Sequence, residues 1–169
     1  AIKRGTGEGG EVGAIEEVVY EGFGPGGVAL LIQCLTDNRN RSIADVRSVM
    51  NKNGGRLGEK GSVMWMFEMK GIVVVKTDMN DEFELALIDV GAEDIRQQDG
   101  IVEIVTGVSD LNKVLDTIES LELSPEHAGL EYIAKDAVEV AGDDQEKLER
   151  LVDTLEDLDD VDSVSTNEK

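Results

Sequence analysis

Gly71-Ile72-Val73-Val74-Val75-Lys76-Thr77 aligns with Gly100-Ile101-Val102-Glu103-Ile104-Val105-Thr106, and this internal echo decides the fold. Both runs are rich in β-branched residues and of strand length, which predicts two strands. An amphipathic helix follows each one. The first carries Phe83, Ala86, Leu87 and Val90 on one face, the second Leu111, Val114, Leu115, Ile118 and Leu121. Each helix is expected to return to a strand, near 92–97 and near 128–133. Two strand–helix–strand copies pack as a four-stranded ferredoxin-like βαββαβ sandwich with both helices on one face.

Working outward, the second helix is itself repeated. Leu148, Leu151, Val152, Leu155 and Leu158 reproduce its spacing, and Asp153-Thr154-Leu155-Glu156 echoes Asp116-Thr117-Ile118-Glu119. A short strand, 161–165, follows. The ferredoxin-like unit has no vacancy for this pair, so it is expected to complete a sheet begun by residues 15–67. In that region 15–20 and 28–35 read as strands joined across a turn holding Gly22, Gly24, Pro25, Gly26 and Gly27. Ser42 is placed to cap a helix, with Asp45 giving an approximate capping box. Ile43, Val46 and Met50 share its inner face, while Arg41, Asp45, Ser48 and Lys52 share the outer one. Asn53-Gly54-Gly55 ends it. The stretch 54–61 reads as loop, 63–67 as a third strand, and the Gly-rich opening 1–13 as loop. The fold class expected is α+β with two domains: 71–138 inserted into a discontinuous α+β domain made of 1–70 and 139–169.

Charge divides the chain in the same spirit. Of the net −21, residues 1–76 contribute +1, with 10 Lys+Arg against 9 Asp+Glu, and residues 77–169 contribute −22, with 6 against 28. The acidic part repels phosphate backbones and cannot be a nucleic-acid grip. Cys34 is the only cysteine and His127 the only histidine, which excludes an intrachain disulfide and any site needing two thiolates or two imidazoles. Apolar runs such as 28–32 and 63–67 fall far short of the ~20 residues that span a bilayer, and the amino-terminal stretch has no apolar secretory core. The expected setting is cytoplasmic, with no membrane partner. Ala1 in place of Met points to a processed or truncated chain.

Two glycine triplets match the dinucleotide fingerprint by spacing: Gly5, Gly7 and Gly10, and Gly22, Gly24 and Gly27. The first follows no strand and the second opens no helix, so neither meets the context that binds a pyrophosphate. The acidic run 156–160 lacks the central glycine and alternating ligands of a calcium loop. His127 is expected in a loop without a nucleophile nearby, Cys34 in the core, and Trp65 as packing. No nucleophile–base pair or carboxylate dyad is legible, so neither enzyme chemistry, cofactor nor metal is expected. Thr36-Asp37-Asn38-Arg39-Asn40-Arg41 is different. Arginines interleaved with asparagines suit phosphates and base edges, and Lys52, Arg56 and Lys60 extend them into one basic edge, with Lys3 and Arg4 as further cations. The competing reading is structural: Asp37 and the arginines cap the helix and pair with one another.

The order of motifs adds a resemblance. Lys3-Arg4-Gly5-Thr6-Gly7, Tyr20-Glu21-Gly22-Phe23-Gly24-Pro25-Gly26-Gly27, Thr36-Asp37-Asn38-Arg39-Asn40-Arg41, Asn53-Gly54-Gly55, Gly61-Ser62-Val63 and Leu155-Glu156-Asp157-Leu158-Asp159-Asp160-Val161 stand in the sequence seen in the YebC-like family of gene-expression regulators. The resemblance spans essentially the whole chain. It implies a non-enzymatic regulator whose partner is DNA, as in transcriptional regulators, or the ribosome and its RNA, as in translation factors such as the mitochondrial activator of cytochrome oxidase synthesis. It also implies an α+β domain with a ferredoxin-like insertion, preceded by a basic helical bundle that this chain is expected to lack. A rival reading is a regulatory module that senses a small ligand through the ferredoxin-like domain.

Overall fold

The computed structural model describes residues 14–169. In chain order the elements are β1 (Glu16–Phe23), β2 (Ala29–Thr36), α1 (Arg39–Lys52), β3 (Arg56–Leu57), β4 (Phe67–Lys76), α2 (Asp81–Asp89), β5 (Ala92–Gln98), β6 (Ile101–Thr106), α3 (Leu111–Ser120), β7 (Pro125–Ala134), α4 (Asp143–Glu156) and β8 (Val161–Thr166). They form an α+β molecule with two four-stranded sheets, ordered β3-β1-β2-β8 and β5-β6-β4-β7. The chain divides into two compact units, one built from residues up to Glu68 together with Ala134–Lys169, the other from Met69–Ile133.

In the second unit the two echoed strands face each other. β4 and β6 pair antiparallel from Gly71↔Thr106 to Lys76↔Ile101, and β5 lies on the other side of β6. The βαββαβ order with β4 central beside β6 is the ferredoxin-like arrangement. Val73, Val75, Val102 and Ile104 project from the sheet onto Phe83, Leu87, Val114 and Ile118 of the helices. The Asn80 side chain caps α2, accepting from Phe83 N–H at 2.8 Å. His127 lies within β7 rather than in a loop, its Nε2 2.6 Å from Glu131 Oε2.

In the first unit β1 and β2 form an antiparallel hairpin running from Glu16↔Thr36 to Phe23↔Ala29. Its turn, Pro25–Gly27, places Gly26 and Gly27 at φ 79° and 78°, where a Cβ would be strained. β8 adds to the free side of β2. α1 and α4 cover one sheet face, packing Val46, Met50, Leu148, Leu151 and Leu155 on Leu30, Ile32 and Cys34. Alternation puts Glu21 and Leu31, which are register partners, on the opposite face.

Three local expectations are corrected. The helix starts at Arg39, because Asn38 rather than Ser42 caps it by accepting from Arg41 N–H at 3.1 Å. Ser42 is buried inside α1, its hydroxyl 2.9 Å from the Tyr20 hydroxyl. The stretch expected as a third strand holds a 3-10 turn, Met64–Met66, and β4 begins only at Phe67. The stretch 54–61, expected as loop, contributes β3, which pairs with Gly22 and Phe23. Gly22 therefore sits inside β1 rather than in the turn. A Cβ there would lie 2.6 Å from Arg56 O and 2.7 Å from Met50 Cε, so its bareness is what lets β3 and α1 close in. Among the described residues no helix is long and apolar enough to cross a membrane.

Candidate nucleic-acid interface

The sequence-predicted basic residues meet two different fates. Arg41 is committed to carboxylates: its Nε donates to Asp160 Oδ2 at 3.2 Å, and its Nη2 reaches Asp160 Oδ1 and Asp37 Oδ1, each at 2.9 Å. The hydrogen bonds it donates to Asp160 and then to Asp37 raise its already high pKa further. Arg39 Nε donates to Glu16 Oε1 at 2.7 Å. Thr36 completes the Arg41 cluster, its Oγ1 3.1 Å from Asp160 Oδ2 and accepting Asn38 N–H at 2.9 Å. The start of α1 is thereby pinned to the segment leading into β8.

Lys52, Arg56 and Lys60 form no ion pair with any described carboxylate, and the Asn40 side chain is exposed. Lys52 ends α1. Arg56 opens β3, with its guanidinium 5.0 Å from the centroid of the Phe23 ring, a cation–π distance. Lys60 lies in the segment after β3. Lys3 and Arg4 lie outside the described residues. The glycines frame this edge: Gly54 takes φ 80° at the exit from α1, and a Cβ on Gly55 would press on Phe23 O at 3.0 Å, while Gly24 is buried against Leu148, Leu151 and Leu30.

The segment carrying Lys60 is organised by a residue that sequence reasoning missed. Glu21 is 5 % exposed. Its carboxylate accepts backbone N–H groups from Gly61 at 2.7 Å, Val63 at 2.9 Å and Met64 at 2.8 Å, and its carbonyl accepts Gly58 N–H at 2.8 Å. Burial alone raises a carboxyl pKa. Here the three N–H donors, with the charge of Lys60, outweigh burial and hold it below the usual value. Residue type carries no signal for this role, because its partners are backbone N–H groups.

The same segment corrects the expectation that Trp65 is packing. Val63 is fully buried, but Trp65 is 65 % exposed, and its indole N–H donates to Ser62 O at 3.1 Å. Cys34 is buried as expected; burial first, then the charges of Asp160 and Asp162, push its thiol up to about 11, the environment of an unreactive thiol. In the second unit a cavity of about 290 Å³ is lined by Thr77, Asp78, Asn80, Glu82, Phe83, Leu121 and Leu123, with no basic side chain to receive an anionic effector.

Comparison with known proteins agrees with this architecture. The family model described as the TACO1/YebC second and third domain matches residues 15–168. A probable transcriptional regulatory protein of Caldanaerobacter subterraneus is 44 % identical over 170 residues, covering 99 % of this chain and 70 % of the relative. One from Deinococcus radiodurans is 45 % identical over 167 residues, covering 99 % and 68 %. The crystal structure of a conserved hypothetical protein from Aquifex aeolicus superposes with a TM-score of 0.84 at 37 % identity, over 92 % of this chain and 65 % of that one. With a family match over nearly all its length and such relatives, the chain belongs to the TACO1/YebC family.

Proposed function

We propose that this chain is a non-catalytic regulator of gene expression that grips the phosphate backbone of nucleic acid along the edge formed by the end of α1 and by β3. The regulator reading is supported by the relatives, which carry the name probable transcriptional regulatory protein. The observation that carries the location is the contrast among the basic residues: Arg39 and Arg41 are ion-paired with carboxylates, whereas Lys52, Arg56 and Lys60 form no ion pair with a described carboxylate, Lys60 feeling Glu21 only at longer range. Duplex DNA and ribosomal RNA present the same polyanion, and this edge suits either. The phosphates it can meet are few, so the grip is weak and steeply salt-dependent.

The test is a salt titration of binding to duplex DNA and to ribosomal RNA, with the wild type and the Lys52→Ala/Arg56→Ala/Lys60→Ala variant. The variant should bind less tightly, with the slope of log affinity against log salt shallower by about 0.9 for each duplex phosphate it no longer neutralises. The nucleic acid that the wild type binds more tightly is the target. Unchanged affinity and slope in the variant would remove the edge from consideration.

A further inference from the structure

We propose that Trp65 is a stacking platform for an unpaired nucleobase of a single strand held along this edge, an inference that rests on the nucleic-acid reading above. An indole with most of its surface in water is not by itself a site. What distinguishes Trp65 is how it is held. The backbone on its N-terminal side is fastened to the buried Glu21 carboxylate through the N–H groups of Gly61, Val63 and Met64. Val63 is fully buried beneath it, and the 3-10 turn Met64–Met66 sets the direction of the side chain. A buried carboxylate is thus committed to fixing a surface turn.

The polar edge of the ring is already satisfied. Indole N–H groups ordinarily seek a partner in an interface, but here the donor is already engaged by Ser62 O at 3.1 Å. What Trp65 offers outward is aromatic surface without a hydrogen-bond demand, which suits bases of any identity because each has a π-face. Charge agrees with that occupant. Lys60 belongs to the same clamped segment, close enough to Glu21 for its charge to act on the carboxyl. From Lys52 to Trp65 the chain carries three cations and a single acid, Glu59. Lys60 and Trp65 flank the stretch that Glu21 clamps, so a strand whose phosphates meet Lys60 passes the turn that carries the ring, the combination of basic track and stacking residue that single-strand binders use.

Trp65 is the only tryptophan, so its fluorescence reports the stacking directly. The probes are short homopolymers of RNA and of DNA, and a blunt DNA duplex, titrated into the full chain. Single strands should quench the emission and the duplex should not, since its bases are already stacked. Trp65→Ala should weaken single-strand binding roughly 5- to 150-fold while leaving the salt slope and duplex affinity unchanged, and Trp65→Phe should keep most of the affinity. A stronger effect with the RNA or the DNA homopolymer identifies the sugar preferred. Salt-dependent binding of single strands with no quenching and an unaltered Trp65→Ala affinity overturns the inference, while the phosphate-gripping edge stands. No salt-dependent binding of any probe overturns both.

Discussion

Arg41 and Asp160, 119 residues apart in sequence, are joined by two hydrogen bonds of 3.2 and 2.9 Å that lock the first turn of α1 to the entry of β8. Asp160 is largely sheltered in this pair, with 14 % of its side chain exposed, while Arg41 remains 48 % exposed. Solvent therefore screens the attraction, and the pair works chiefly as a clasp.

Arg41→Ala and Asp160→Asn are each expected to lower the melting temperature, and the double variant should lose no more than the worse single one. Chemical denaturation of the four proteins in a double-mutant cycle measures the coupling. Neither change should alter the salt slope of nucleic-acid binding; a slope reduced by Arg41→Ala would mean the arginine reaches phosphate as well.

Glu21 carries a larger stake because its three partners are backbone donors that cannot turn to another side chain. Glu21→Ala should cost about 2–3 kcal/mol and loosen the turn under Trp65, seen as higher mobility of the indole in fluorescence anisotropy. The sign of the acid dependence follows from its lowered pKa. The folded state binds fewer protons, so the contribution is complete above the unfolded carboxyl value of ~4.3 and is lost as pH falls below it and through the folded value. Glu21→Gln should be less stable at neutral pH and should flatten this acid limb; an unchanged limb would assign the acid sensitivity to other carboxylates.

Gly22→Ala introduces a methyl within 2.7 Å of both Arg56 O and Met50 Cε. Met50 Cε is the end of a flexible side chain and can yield, but Arg56 O is backbone and cannot. A destabilisation of about 1–3 kcal/mol is expected, with faster amide exchange at Leu57, the partner of Gly22 across β1 and β3. Gly27→Ala meets no atom within 4 Å but holds φ 78°, so its smaller cost would come from the backbone alone.

The two units suggest a test by excision. Lys135 N–H donates to Met66 O at 2.9 Å, so the ends left by removing 69–133 are already adjacent and a short Gly/Ser linker closes them at little entropic cost. The shortened protein is expected to unfold cooperatively with its α1–α4 core intact. Truncation before α4 should abolish that transition, since Leu148, Leu151 and Leu155 are fully buried in it. A linker version without cooperative unfolding would refute the independence of the first unit.

The ferredoxin-like unit was legible because its signal is repetition, and strand and helix periods do not depend on distant partners. The assignment of the helix start failed where several caps compete in a row. Thr36 finishes β2 and Asp37 is taken up by Arg41, which leaves Asn38 to cap and carries Ser42 into the helix. Glu21 was silent because its ligands are backbone N–H groups 40 to 43 residues away, and backbone donors leave no mark in residue type. Trp65 misled because Val63-Met64-Trp65-Met66-Phe67 reads as a core strand, yet only Val63 and Phe67 are buried, Met64 and Met66 are half-buried and Trp65 is exposed on a 3-10 turn. The ion pairs of Arg39 and Arg41 separate the basic run into fixed and available members, a division that composition cannot make.

The place of β8 beside β2 has a consequence for the order in which the protein comes into being. β1 and β2 leave the ribosome well before α4 and β8, which complete their core and sheet, and even Ala29 N–H finds its acceptor in the side chain of Asn167 at 2.9 Å. Residues 69–133 form a contiguous unit whose strands and helices are all present before α4 is translated. During synthesis at ~5–20 residues per second the 69–133 unit is therefore expected to reach its native form first, while the apolar face of β2 stays uncovered for seconds afterwards. A nascent chain stalled short of residue 160 would hold a folded centre between two unfinished arms, which is the species a chaperone would meet.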